Sequence, residues 1–272
     1  MPDFLTEMKE ASIARTEIAR ASVPDRELMA RLEDLEPAPV LRLSDKFDII
    51  AEFKRNAPSA GRLTAKPDED VSHAIFTAKQ YEAGGAAAIS ILTEPSRFNG
   101  SIDDLSSVAK SLNVPVMRKD FLVDPYQVLE ARLNGAGGVL LIVRILNDES
   151  LLEMTEAALS LGMFAVIESF DANDLERISN LGLDYPGILV GVNTRDLTTL
   201  EVDGERLGLL QDVGPANCPR VAESGISTPE DISRVVGLGY DLALIGSSLM
   251  KAADPSQLIR EMLTNGRKAK RR

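Results

Sequence analysis

The chain has 272 residues, 44% of them hydrophobic, enough apolar material for one large α/β barrel or two small domains. Its net charge of −12 and pI near 4.7 exclude a general nucleic-acid surface, because phosphate backbones are held by clustered Lys and Arg. A single cysteine, Cys218, excludes an intrachain disulfide and fits a reducing cytoplasm, and a single histidine, His73, excludes a multi-histidine metal site.

Residues 3–35 read as helical, with Phe4, Leu5, Met8, Ala11 and Ile18 as a first apolar stripe and Leu28, Met29 and Leu32 as a second after Pro24. Charges run through the first twenty residues, so this segment is neither a signal peptide nor a membrane span. Residues 1–46 are therefore expected as a helical extension packed against a main domain of residues 47–266. The basic run 267–272 is expected as a solvated, frayed tail.

From residue 47 an apolar run recurs about every 25 residues, each followed by a helix-like segment, which is the rhythm of repeated βα units. The runs are IIAEFK, AAAISIL, VPVMRK, GVLLIV, MFAVIE, GILVGVN, RVAES and DLALIG. Eight units in about 250 residues predict a closed parallel (β/α)8 barrel of the TIM type rather than an open sheet. Helix starts fit this rhythm. Asp124-Pro125 and Thr228-Pro229 put a capping side chain before a proline, and Asp171 precedes Asp174 by three residues. Gly84, Gly135 and Gly182 are expected as left-handed closing residues after helices. His73 falls off the face formed by Val71, Ala74, Ile75 and Ala78, and is expected at the surface. The connection RNAPSAGRLTAKPD after the first strand is far longer than the ~2–6 residues usual for such loops. It is expected as a lid.

Strand ends carry the chemistry. In the first strand Glu52 and Lys54 share a face with Ile50, and burying charge is costly unless it is compensated. The same ending recurs at Lys119, Glu168, Asn193 and Glu223 with Ser224. One such residue would be an ordinary solvated strand end. Five strands ending this way are brought around a single mouth by barrel closure, where carboxylates and ammonium groups perturb one another. Strands seven and eight end in Glu223-Ser224-Gly225-Ile226 and Ile245-Gly246-Ser247-Ser248, small residues with hydroxyls and free backbone N–H groups that suit a phosphate.

The motifs IIAEFKRNAPSAG, AAAISILTEPSRFNGS, PVMRKDF, LLIVRIL, VGVNTRDL, VAESGI and LIGSSLM occur in order over residues 47–250. In this order they resemble the indole-3-glycerol-phosphate synthase family, barrel enzymes of tryptophan biosynthesis. The resemblance implies conversion of 1-(2-carboxyphenylamino)-1-deoxyribulose 5-phosphate to indole-3-glycerol phosphate, with loss of carbon dioxide and water and without metal or organic cofactor. It implies that Glu52 orients groups or accepts protons, that Lys54 holds the substrate carboxylate and has a proton to donate in dehydration, and that Lys119 protonates the ketone oxygen. Glu168 would serve acid and base work, and Asn193 and Glu223 would position substrate and neighbouring charges. Ser59, Ser224, Gly225, Gly246 and Ser247 would bind the phosphate, with Arg195 closing over it. Ala57 stands where the family usually has serine, so one hydroxyl is missing. The expected partner is a phosphorylated small molecule, with no nucleic acid or membrane, in a cytoplasmic monomer or weak homodimer. Two other readings fit a lysine among carboxylates at a barrel mouth: a Schiff-base aldolase, and a catalytically silent barrel that binds a phosphorylated ligand.

Overall fold

The computed structural model describes residues 3–57, 61–63, 71–197 and 199–270. Eight parallel strands close into a barrel: β1 Asp48–Phe53, β2 Ala88–Leu92, β3 Val116–Lys119, β4 Gly138–Ile142, β5 Phe164–Ser169, β6 Ile188–Asn193, β7 Arg220–Glu223 and β8 Leu242–Ile245. Each pairs with its successor, and β1 closes on β8 with Asp48 opposite Leu242 and Ala51 opposite Ile245. The strands are buried almost throughout, as expected of parallel strands covered on both faces.

The helices are α1 Phe4–Ser22, α2 Asp25–Glu33, α3 Val71–Gly84, α4 Pro95–Phe98, α5 Ile102–Ala109, α6 Pro125–Leu133, α7 Asp148–Ser160, α8 Ala172–Asn180, α9 Arg206–Leu209, α10 Pro229–Gly237, α11 Ser247–Lys251 and α12 Pro255–Ala269. The capping residues act as the sequence predicts. Asp124 accepts from Tyr126 N, Asp171 accepts from Asp174 N, and Thr228 forms a reciprocal box with Asp231. No helix among the described residues is long and apolar enough to cross a membrane.

The N-terminal extension lies on the barrel. Met8, Ser12 and Thr16 form its buried face, Gln127 Nε2 donates to Ser12 Oγ at 2.9 Å, and Arg15 Nη2 donates to Asp120 Oδ1 at 2.8 Å. Asp120 follows Lys119 directly, so α1 is tied to the end of β3.

Four local expectations are corrected. Ile18 and Met29 face solvent at 72% and 56% exposure, because the buried stripe runs through Met8, Ser12, Thr16 and Leu28. His73 is half-buried, with its ring edge-on to Phe53 at 5.7 Å. The left-handed residue after α3 is Gly85 at φ 94°. Gly84 remains helical, and a Cβ there would lie 2.9 Å from Ile259 and from the Ser256 carbonyl. Finally, the basic run does not fray from residue 267. Helix α12 continues to Ala269, Arg267 Nη2 pairs with Asp48 Oδ1 at 3.1 Å, and Lys270 pairs with Asp241.

Candidate active site

Parallel register places side chains of neighbouring strands on a common face, so the barrel interior can be followed strand by strand. Glu52 is opposite Ser90, Leu92 opposite Lys119, Ile142 opposite Glu168, and Asn193 opposite Glu223. All of these positions but Ser90 converge at the carboxyl ends of the strands on a cavity of about 210 Å³. Glu52, Lys54, Lys119, Glu168, Asn193, Arg195, Glu223, Ser224, Gly225, Gly246 and Ser247 all line it. Ser59 lies outside the described residues, as does most of the expected lid. Its described part forms a short antiparallel pair, Asn56–Ala57 with Gly61–Arg62, and Ala57 faces the cavity.

The polar groups form two linked sets. Lys54 Nζ donates to Glu52 Oε1 at 2.5 Å. Across the mouth Lys119 Nζ donates to Glu168 Oε2 at 2.9 Å, and Asn193 Nδ2 donates to Glu168 Oε1 at 3.3 Å. Asn193 Oδ1 in turn accepts the Arg195 backbone N–H at 2.9 Å. The three glutamates are only 1–2% exposed, whereas the side chains of Lys54 and Lys119 retain 16% and 18%. The ammonium groups therefore face the cavity and the carboxylates lie behind them.

Burial and mutual charge set the protonation states. Burial opposes the charged form of Lys119, but the charges of Glu168, Glu223 and Glu52 and the bond to Glu168 raise its proton affinity above that of an ordinary lysine. Glu223 moves the other way from a normal carboxylate. Burial, then the nearby Glu168 charge, push its pKa well above the usual range, with Lys119 only partly offsetting them. Both shifts favour the protonated form, of Lys119 through its carboxylate neighbours and of Glu223 through burial beside another carboxylate. No group of three or more His, Cys, Asp or Glu among the described residues is placed to hold a metal ion.

The opposite side of the cavity suits an anion. Ser224 and Gly225 both have positive φ, 68° and 70°, in the tight turn by which the chain leaves β7 along the cavity. Gly246 precedes the first residue of α11, Ser247, so the first amides of that helix have no intrahelical partner. Arg195 borders the same space, its Nη1 donating to the Leu200 carbonyl at 2.8 Å.

The third wall is apolar and was not anticipated from the sequence. Phe4, Leu92, Phe98, Phe121 and Ile142 line it, while Leu197 and Leu200 reach the cavity from the loop after β6 that carries Arg195. Phe4 and Phe121 meet edge to face at 5.8 Å, and Phe98 and Phe121 lie 6.2 Å apart. Three of only eight phenylalanines in the chain thus border one cavity. The available signal was the placement of Phe98 and Phe121 inside the motifs SRFNG and RKDF, whereas nothing local marks Phe4, which arrives from the extension.

Comparisons with known proteins point the same way. The family model for indole-3-glycerol phosphate synthase matches residues 4–262. The chain is 40% identical over 257 residues to an indole-3-glycerol phosphate synthase of Parafrankia sp., covering 94% of this chain and 92% of that protein. It is 39% identical to one of Mycobacterium leprae, with 91% of each covered. Among solved structures, 3-hexulose-6-phosphate synthase from Salmonella typhimurium superposes with a TM-score of 0.65 at 14% identity, covering 82% of this chain and 100% of that one. At that identity the likeness is one of fold alone. With a family match across the chain and relatives near 40% identity over more than nine-tenths of it, the chain belongs to the indole-3-glycerol phosphate synthase family of tryptophan-biosynthesis enzymes.

Proposed function

We propose that the chain is a carboxy-lyase that converts 1-(2-carboxyphenylamino)-1-deoxyribulose 5-phosphate to indole-3-glycerol phosphate, carbon dioxide and water. The observation that carries this reading is that one cavity is lined by the aromatic rings of Phe4, Phe98 and Phe121, by the small residues of the loops after β7 and β8, and by a buried Lys/Glu cluster. The substrate has the same three parts. Its carboxyphenyl ring matches Phe4, Phe98 and Phe121, its phosphate matches the loops after β7 and β8, and its ketone and carboxylate then fall among the ionisable groups.

Ring closure joins the aromatic carbon bearing the carboxylate to the ketone carbon, and negative charge develops on the ketone oxygen. Lys119, held protonated by its carboxylate neighbours, delivers the proton. Breaking the bond to the carboxylate releases carbon dioxide and leaves its electron pair to restore the aromatic ring. Lys54 reaches the cavity to hold the carboxylate before it leaves. Dehydration then removes the hydroxyl from the former ketone carbon and a proton from the neighbouring carbon beside nitrogen. That step needs one acid and one base, which the Lys54–Glu52 pair and the Glu168–Glu223 pair together supply. In this reading Ser224, Gly225, Gly246, Ser247 and Arg195 bind the phosphate.

The test is direct. Mixing chelator-treated protein with the substrate should produce indole fluorescence. A silent sample, beside an authentic synthase that responds under the same conditions, removes the proposal.

A further inference from the structure

Glycine inside a buried strand needs a reason, because it weakens the strand and packs nothing. Gly191 lies in the middle of β6, between Val190 and Val192, and is paired in register with Glu168 on one side and Val221 on the other. Its backbone is not among the left-handed glycines, so conformation does not require it. Space does. A Cβ built on Gly191 would lie 2.1 Å from Glu223 Oε1 and 3.3 Å from Val166 Cγ1. The register partner of Glu223 is Asn193, so its carboxyl leans one pleat down the barrel, away from the mouth, into the volume a side chain at 191 would fill. There Glu223 is 1% exposed, and its Oε1 has no hydrogen-bond partner among the described residues. Gly246 on β8's exit does the same for Glu52, whose Oε1 lies 2.3 Å from the corresponding Cβ position. Gly138 is different: its missing Cβ is filled by the Phe164 ring at 2.4 Å, which is packing.

We infer that Gly191 is a positioning residue: the missing Cβ leaves a seat in the barrel interior that holds the Glu223 carboxyl under the reacting groups. The kinetic part of this inference rests on the synthase reading, whereas the seat does not. The charged groups that act on Glu223 are Glu168 on β5, Lys119 on β3 and Glu52 on β1, with Lys54 paired to Glu52. Strands β6 and β8 bring no charged side chain. Alanine at 191 would displace the carboxyl by about 1 Å or more toward the mouth, a misplacement of the size that can lower rates about 10²-fold. It would also return Glu223 toward water and so lower its proton affinity.

The experiment compares wild type, Gly191→Ala, Glu223→Ala and the double variant. Carbon-13 NMR of labelled glutamate carboxyls, with Glu223 assigned by its loss in Glu223→Ala, follows titration without any substrate. Glu223 should titrate above the ordinary carboxylate range in wild type and measurably lower in Gly191→Ala. In turnover, Gly191→Ala should lower kcat about 10²-fold with KM within about threefold. The same substitution added to Glu223→Ala should change kcat by less than about threefold. An unmoved Glu223 titration, or an equal loss of rate in both backgrounds, overturns the inference. If Gly191→Ala does not fold, the double variant must, because the methyl then meets no carboxyl. A double variant that also fails to fold overturns it too. A shifted titration in a protein whose wild type makes no indole keeps the seat and removes the synthase reading.

Discussion

Replacing Lys119 by methionine keeps most of the stem and removes donor and charge together, and the structure separates the two consequences. Without an ammonium at the mouth nothing protonates the developing alkoxide, so kcat should fall about 10²- to 10⁴-fold, or roughly 3 to 5 kcal/mol of barrier. Binding should survive, because the phosphate wall is built by the loops after β7 and β8. The second consequence is electrostatic. Lys119 Nζ lies 2.9 Å from a carboxylate that is 1% exposed, and losing one partner of a buried pair costs about 3–5 kcal/mol when the remaining charge is stranded. The lysine retains 18% exposure, so water screens the charge it leaves behind and the low end of that range is expected. Adding Glu168→Gln removes the stranded charge and keeps an oxygen for Asn193 Nδ2. The double variant should therefore regain stability without regaining turnover. Single-turnover indole fluorescence and urea unfolding read the two effects independently. Near-normal turnover of Lys119→Met, or a borohydride-reduced substrate adduct on Lys119 in wild type, would refute the role of proton donor.

Ala57 faces the cavity, so Ala57→Ser should add one hydrogen bond worth about 0.5–1.5 kcal/mol; KM drops and kcat holds if that contact is made equally in ground and transition states. An unchanged KM would place the phosphate elsewhere. Phe4→Ala removes an edge-to-face contact with Phe121, worth about 0.5–1.5 kcal/mol, and should raise KM roughly two- to tenfold; a normal KM would separate the extension from substrate binding. Glu223 has a raised pKa when folded, so the folded state holds a proton that the unfolded chain releases. That contribution is therefore lost as pH rises from the ordinary carboxylate value through the folded one. Glu223→Gln should accordingly raise Tm over wild type most at pH 8, with the gain shrinking toward pH 5; a gain that grows on acidification would reverse the assigned direction.

The barrel was legible in the sequence because its signals are local. Runs such as GVLLIV and GILVGVN are apolar on both faces, as doubly covered strands must be, and Asp124-Pro125 and Thr228-Pro229 cap helices through neighbours two or three residues away. The polar set was legible for a related reason: Glu52, Lys119, Glu168, Asn193 and Glu223 each lie at or one residue before the end of a strand, and closure of the barrel brings strand ends together. What escaped depends on partners distant in the chain. Phe4 reaches Phe121, His73 is covered by Phe53, and Arg267 is held by Asp48. The glycine at 191 reads as part of a strand until the carboxyl of Glu223 is found in its place. Composition predicts that such residues are polar, small or aromatic, but which of them meet is a property of the closed barrel.

Ring closure, decarboxylation and dehydration of one substrate in one cavity tie the release of carbon dioxide to the formation of indole. A substrate labelled with carbon-13 in its ring carboxylate tests this tie most directly, with released carbon dioxide and indole-3-glycerol phosphate quantified over the same single turnover. One labelled carbon dioxide is expected for each indole formed, at equal rates in chelator-treated and untreated protein. Carbon dioxide without indole, indole that retains the label, or neither product from folded wild-type protein would contradict it.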